Sequence, residues 1–506
     1  MNNGSNKCSI CGSKSRRLCL ATDKMICTSC CGLKRGTQIT CSSECRYYPF
    51  SINGYDLWLR IDDILANKML DYVVANYGKD EFKTIIEDMD FDTESTEEMN
   101  DTAIGSAVYY ALFIKRNSDN KTLVEKWKAE GWPGLNNDEC KMMECRINNS
   151  YATIIEIQRV LDHQAMECID LFDEERGKFI LLDRSTASRT TIRFTRLLTW
   201  LVHYPHFSRM ANNGVEITDF IFREFKGILT DEFNEVSLKR KGLTIKEYLS
   251  ENFGSFYKSV FELAHEKQLA MLNNMDMHQC KAFYEIDATK FDEVKAILDK
   301  YPDFEVREKH HDEMEFPGTY YYSWLRRGES KELEKEMLPA FQHKDESEGV
   351  GTIGNVSLYP RELVIETFSK QKYAFTKKMV DKYFGGLVTL KNEEVIDMAK
   401  QMAARIKEGR GDKRPSVKEA EEVPLEIEQT VMKNFYKKQY EKFLDEEIPA
   451  LDGVTPRQAA EDPRMRPKLL DLMKEHLKGI ERHNRNRNLE LDITWVLDEL
   501  KLPELK

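Results

Sequence analysis

The sequence predicts a multidomain α+β protein, and three observations predict it. Eight of the twelve cysteines fall within the first 45 residues. Beyond them the apolar period changes from helical to alternating and back as the chain proceeds. A charged stretch without periodicity, residues 408–424, then sets off a final helical region. The 506 residues leave room for three or four domains of about 100–200 residues each.

The first element, residues 1–50, reads as a zinc-binding module. Its cysteines are Cys8, Cys11, Cys19, Cys27, Cys30, Cys31, Cys41 and Cys45, spaced C-x2-C-x7-C-x7-C-x2-C-C-x9-C-x3-C. A C-x2-C turn lets two thiolates converge on one ion, and a second turn completes a tetrahedral sulfur site. Cys30 and Cys31 are adjacent and are expected to point to opposite sides, so they serve different metals. The preferred grouping is Cys8, Cys11, Cys27 and Cys30 for one zinc, with Cys19, Cys31, Cys41 and Cys45 for another. One or two structural zinc ions are therefore expected. A disulfide framework is the competing reading; the polar start Met-Asn-Asn-Gly-Ser-Asn lacks a signal-peptide pattern, which favours a reduced, cytoplasmic setting.

Charge singles out the same module. Lys7, Lys14, Arg16, Arg17, Lys24, Lys34, Arg35 and Arg46 outweigh Asp23 and Glu44, a net +6 within a chain of −12. A compact basic module on an acidic body is the form of a phosphate-contacting element. Lys14, Arg16, Arg17, Lys34 and Arg35 are the candidate nucleic-acid contacts. The alternative is that these cations solubilise a small domain and offset its thiolate charge.

Residues 51–149 are expected to form a helical unit, led by Tyr55–Gly78, whose apolar residues recur at helical spacing before a stop at Gly78. From Tyr151 the chain becomes rich in β-branched and aromatic residues, with a turn at Asp173–Gly177. Residues 150–275 therefore read as a small antiparallel sheet, of barrel type, followed by helices. Residues 276–407 form an α+β unit in which strands at Lys281–Ile286 and Gly351–Leu358 alternate with helices at Ala288–Leu298 and after Ser369. Residues 408–424 read as a linker and residues 425–506 as a helical tail. In the tail, Thr455, Pro456 and Gln458 spell a capping box with proline at the first helical position.

Other constellations point less far. His310-His311-Asp312-Glu313 carries ligand types but reads as a solvated loop, and His203-Tyr204-Pro205-His206 as a strand end. Asp303 with Glu308-Lys309 lacks the acid that a PD-(D/E)xK nuclease needs two residues before its lysine, where Arg307 stands. Tyr320, Tyr321, Tyr322 and Trp324 could stack bases on an exposed sheet, or fill a core. Cys140, Cys145, Cys168 and Cys280 read as buried, reduced residues. No phosphate-cradling glycine motif, H-E-x-x-H or G-x-S-x-G occurs, and no window approaches the roughly 18 apolar residues of a membrane span.

Two stretches carry a family resemblance. The opening C-x2-C-G … C-x2-C-C-G is similar to the cysteine module of uncharacterised bacterial zinc-binding proteins. The segment IPALDGVTPRQAAEDPRMRPKLLDLMK resembles the tail of bacterial proteins of the SEC-C-associated type, and distantly the toxin-binding domains of Xre-type antitoxins. Phe443 stands where that tail usually has tryptophan, and the C-x-C motif that gives the SEC-C group its name is absent. The resemblance implies zinc, a bacterial source and a protein partner for the tail, and transfers no catalytic residue. The expected function is a non-enzymatic adaptor that binds nucleic acid or protein. A hydrolase of nucleic acid with structural zinc, and a toxin-neutralising or defence-associated partner protein, are the alternatives.

Overall fold

The computed structural model describes residues 7–88, 104–188, 191–211, 214–274, 276–308, 317–332, 351–407 and 425–506. The expected linker 408–424 and the His310–Glu313 cluster lie outside the described residues. The chain divides into two compact units, Met1–Leu263 with Glu419–Lys506, and Ala264–Lys418.

The first unit opens with the hairpin β1 (Arg17–Cys19) and β2 (Lys24–Ile26), joined through Asp23 in the left-handed region, and the helix Thr28–Lys34. Tyr48 and Phe50 then carry the chain into the body, where Phe50 stacks on Tyr204 at 5.6 Å. Gly54 is required at the entry to the next helix, because a Cβ there would lie 1.9 Å from the Tyr48 carbonyl oxygen. The helix Tyr55–Tyr77 buries Tyr55, Trp58, Leu65, Met69 and Val73 along one face and stops at Gly78, as its spacing predicts. Apolar spacing does not announce the helix Asn137–Asn149, although Asn136 and Glu139 form a capping box at its start.

Six strands follow: β3 (Ser150–Val160), β4 (Ala165–Asp170), β5 (Phe179–Leu182), β6 (Arg196–His203), β7 (Ser208–Met210) and β8 (Val215–Ile217). They run in the order β3-β4-β5-β7-β6-β8, and β3 also pairs with β6, which closes the sheet on itself. The sheet is not wholly antiparallel as expected. The turn at Tyr204–Phe207 folds β7 back along β6, so its other edge meets β5 in parallel at Leu181 and Ser208. Ile155, Ile157, Met166, Cys168, Leu181, Leu197 and Leu201 fill the interior. Alternate residues Ala152, Ile154, Leu198, Trp200 and Val202 face outward into the core shared with the helices. Burial on both faces explains why these strands read as continuous apolar runs.

The tail helices Leu425–Phe443, Pro456–Glu461, Arg466–Arg487 and Thr494–Glu499 belong to this same unit. The capping box of Thr455 and Gln458 is present. Phe194, in the left-handed region just before β6, inserts into the tail core beside Tyr440, Leu451 and Leu469. A buried charge network joins tail and barrel. Glu156 accepts Arg196 Nε at 2.9 Å and Lys474 Nζ at 2.6 Å, while Asp219 accepts Arg196 Nη1 at 2.7 Å and Lys478 Nζ at 2.6 Å.

The second unit is a six-stranded antiparallel sheet in the order β10-β11-β12-β13-β9-β14. Its strands are β9 (His278–Ile286), β10 (Phe304–Val306), β11 (Tyr320–Leu325), β12 (Thr352–Tyr359), β13 (Glu362–Thr367) and β14 (Val388–Asp397). The helices Phe291–Lys300 and Lys370–Phe384 contribute Val294, Leu298, Met379, Val380 and Phe384 to its core. Ser369 caps the second helix and Gly385, at φ +50°, ends it. Tyr322 and Trp324 are completely buried in this core and Tyr321 is buried beside them, so most of the aromatic run fills space, with Tyr320 alone of the four exposed.

Candidate metal centre

The first C-x2-C lies in a tight turn. The Gly12 N–H donates to the Cys8 carbonyl at 2.9 Å, and Gly12 takes φ +71°, which a side chain would strain. The second pair comes from a helix start. Cys27 caps the helix Thr28–Lys34, its Sγ accepting the Cys30 N–H at 3.4 Å. The Ser9 N–H donates to the Met25 carbonyl at 2.8 Å, which ties the turn to the hairpin and brings the two pairs together.

The result is that the sulfurs of Cys8, Cys11, Cys27 and Cys30 all lie within 4.8 Å of one another, with Cys11 and Cys27 3.6 Å apart. A tetrahedral ion with metal–sulfur bonds of about 2.3 Å needs sulfurs about 3.8 Å apart. Four cysteines therefore lie at metal-binding distance and fit a structural zinc site.

Proton affinities show the strain of bringing four thiols together. Burial works to raise Cys8, but the N–H groups of Cys27, Cys11 and Ile10 bring it down to about 6. The Ser13 hydroxyl, followed by its N–H, lowers Cys11. Hydrogen bonding to Cys11 and burial together push Cys30 up to about 12. The four sulfurs cannot all ionise beside one another unless a cation balances them. The Ser13 hydroxyl beside Cys11 is an influence on that thiol that ligand spacing alone does not reveal.

The other four cysteines share one neighbourhood without closing in the same way. Burial raises Cys41, and nearby Cys45, Cys31 and Cys19 add to the rise. Burial also raises Cys31, opposed by the charges of Arg35 and Arg17. Cys41 Sγ faces the Ile39 carbonyl at 3.6 Å. Among the described residues no second group of three or more ligands comes within the distance that defines the first.

The five candidate nucleic-acid contacts separate into two sets. Lys14 and Arg16 are exposed. Arg17 lies over the Tyr47 ring at 4.1 Å, and Lys34 Nζ donates to Gln38 at 2.7 Å. Arg35 is engaged within the protein. Its guanidinium pairs with Asp138 at 2.5 Å and reaches the Tyr47 carbonyl, while its own carbonyl accepts Lys141 at 2.8 Å. Asp138 is 103 residues away in sequence, so no local pattern announces this pairing.

His203 and His206 do not form a metal site. His203 sits at one end of the barrel between Tyr151, 2.9 Å from its Nε2, and Ser208, 2.6 Å from its Nδ1. His206 lies 2.8 Å from the Cys41 carbonyl. Cys168 and Cys280 are fully buried, and all twelve cysteines are unpaired. No helix among the described residues is long and apolar enough to cross a membrane. No family model, curated protein or solved structure matches the chain.

Proposed function

We propose that this protein is a non-catalytic adaptor whose zinc-stabilised N-terminal module contacts nucleic acid. The observation that carries the reading is closure of the candidate metal centre by four protein sulfurs. Such a centre keeps no coordination position for water or substrate, so its work is to hold a surface in shape. That surface offers Lys14 and Arg16 to solvent, with Arg17 beside them on Tyr47. A second zinc at Cys19, Cys31, Cys41 and Cys45 belongs to the proposal, its sulfurs drawing together when the ion binds.

The test is fluorescence anisotropy of labelled single- and double-stranded DNA and RNA at several salt concentrations, with the wild type and Lys14→Gln/Arg16→Gln. Binding should weaken steeply with salt, and the double variant should lower the slope by about 0.9 for each phosphate that is no longer neutralised. Absence of binding at low salt, or identical slopes for the two proteins, would refute the nucleic-acid reading.

A second reading, a protein partner, is favoured by apolar exposure. Leu18, Leu20 and Leu33 on the module are more than half exposed. On the tail helix, Ile427, Val431 and Phe435 recur every fourth residue and are all exposed. Exposed apolar residues at helical spacing suit a helix or groove on another protein. Co-purification of a stoichiometric partner that Val431→Asp abolishes would support this reading.

A further inference from the structure

A cleft of about 590 Å³ opens in the first unit, between residues 113–116, the start of β3, and the loop and helix over residues 240–251. Its size lies within the range of small-molecule sites, about 300–1,000 Å³. Four cations line it: Arg116, Arg240, Lys241 and Lys246. The two acids that line it are already engaged. Glu251 takes both arms of Arg240, at 2.5 and 3.0 Å, and Glu247 accepts the N–H and hydroxyl of Thr244 at 2.8 and 2.9 Å. Lys246 is paired with Asp173 at 2.7 Å.

Neither Arg116 nor Lys241 forms an ion pair among the described residues; the Arg116 guanidinium donates to the Asn120 carbonyl at 2.8 Å, and the charge of Glu125 lies within its reach. Three further donors belong to residues that line the same cleft. Ser150 lines the cleft, and its hydroxyl is buried with no hydrogen-bond partner. The N–H groups of Lys241 and Gly242, in a turn where Gly242 takes φ +84°, have no acceptor among the described residues. Unpaired cations, an orphaned hydroxyl and open N–H groups around one cleft are complementary to a group with several negative oxygens. A carboxylate would satisfy two or three of these donors, whereas a phosphate or diphosphate can use them all.

We infer that this cleft binds a phosphate-bearing small molecule of nucleotide size, its phosphate held by Arg116, Lys241, the Ser150 hydroxyl and the Gly242 N–H. The site is separate from the zinc module and does not depend on the adaptor reading.

The experiment is isothermal titration of the full-length, zinc-loaded protein with pyrophosphate and with ADP, adenosine serving as the phosphate-free control. Pyrophosphate or ADP should bind and adenosine should not, with ADP tighter than pyrophosphate if the remaining cleft volume receives a nucleoside. Arg116→Gln/Lys241→Gln changes two exposed side chains and should keep the wild-type melting temperature, yet weaken binding about tenfold or more. Ser150→Ala should weaken it by a smaller factor. Lys14→Gln/Arg16→Gln should bind as the wild type does. No heat from either phosphate probe at millimolar concentration, equal affinity in Arg116→Gln/Lys241→Gln, or loss of binding in the zinc-module variant would each overturn the inference.

Discussion

Changing Cys30 to Ser tests the metal centre most directly. Between residues 7 and 40 only Ile26 and Ile39 are buried aliphatic side chains. Two such residues contribute about 3–6 kcal/mol by burial, whereas a structural zinc contributes about 10–16 kcal/mol in small finger-like modules. The metal should therefore dominate the module's stability, and three sulfurs with a hydroxyl should hold it far less well than four. The variant is expected to lose one equivalent of zinc by elemental analysis. It should also expose the Arg16–Arg17 bonds to trypsin and lose amide protection over residues 7–40. The body should persist, because the stacking of Tyr55 on Trp58 and the packing of Trp58 against Phe207 lie beyond the module. Full zinc content with unchanged trypsin resistance would refute the assignment. A parallel Cys19→Ser variant separates the two sites: loss of a second equivalent, with the first retained, would establish the second ion.

Two further outcomes follow from buried charge. Burial first, then the charges of Arg176 and Lys246, lowers His203 to about 3 from an unfolded value of 6.5, so the folded protein excludes a proton that the unfolded chain accepts. Stability is then complete above pH 6.5 and falls as the pH drops toward 3, by about 2 kcal/mol at pH 5; urea midpoints at pH 7 and pH 5 should shift less in His203→Gln than in the wild type, and equal shifts would contradict the argument. Glu156, completely buried, balances Arg196 and Lys474. Glu156→Ala should cost about 3 kcal/mol, the lower end for a broken buried pair, because Asp219 still holds Arg196. Hydrogen exchange across Arg466–Arg487 should report that loss as easier opening, and unchanged protection would show the network to be dispensable.

What is legible in the sequence shares one property, that its cause is local. The turn around Gly12, the stop at Gly78, and the helix caps at Thr455 and Ser369 are each decided within a few residues. The grouping of Cys8, Cys11, Cys27 and Cys30 is legible for the same reason, since two C-x2-C turns can each present a pair before any tertiary contact forms. The other four cysteines come from the hairpin, the helix and the long segment beyond it, so whether they meet depends on packing that spacing does not encode.

What the sequence does not reveal arises where partners are distant in the chain. Arg35 reads as a surface cation because nothing near it in the chain points to Asp138. The tail reads as separate because Lys474 and Lys478 show no sign of Glu156 and Asp219, some 260 to 320 residues earlier. The closure expected of a barrel-type sheet is made by the pairing of β3 with β6, and it changes what the strands are for. In a closed sheet the polar residues at the end of an apolar interior, Tyr151, His203 and Ser208, must satisfy one another, which is why His203 is a partner within the fold instead of a metal ligand. The cleft above Tyr151 follows the opposite rule. Its cations come from segments more than a hundred residues apart, and two of them, Arg116 and Lys241, form no ion pair among the described residues. Burial of charge elsewhere in this unit is matched pair by pair, from Arg146 with Asp62 to Lys68 with Glu139. Arg116 and Lys241 are exposed and solvated, so it is the cleft that gathers them with Ser150, not a cost of burial, that argues for a partner from outside the chain.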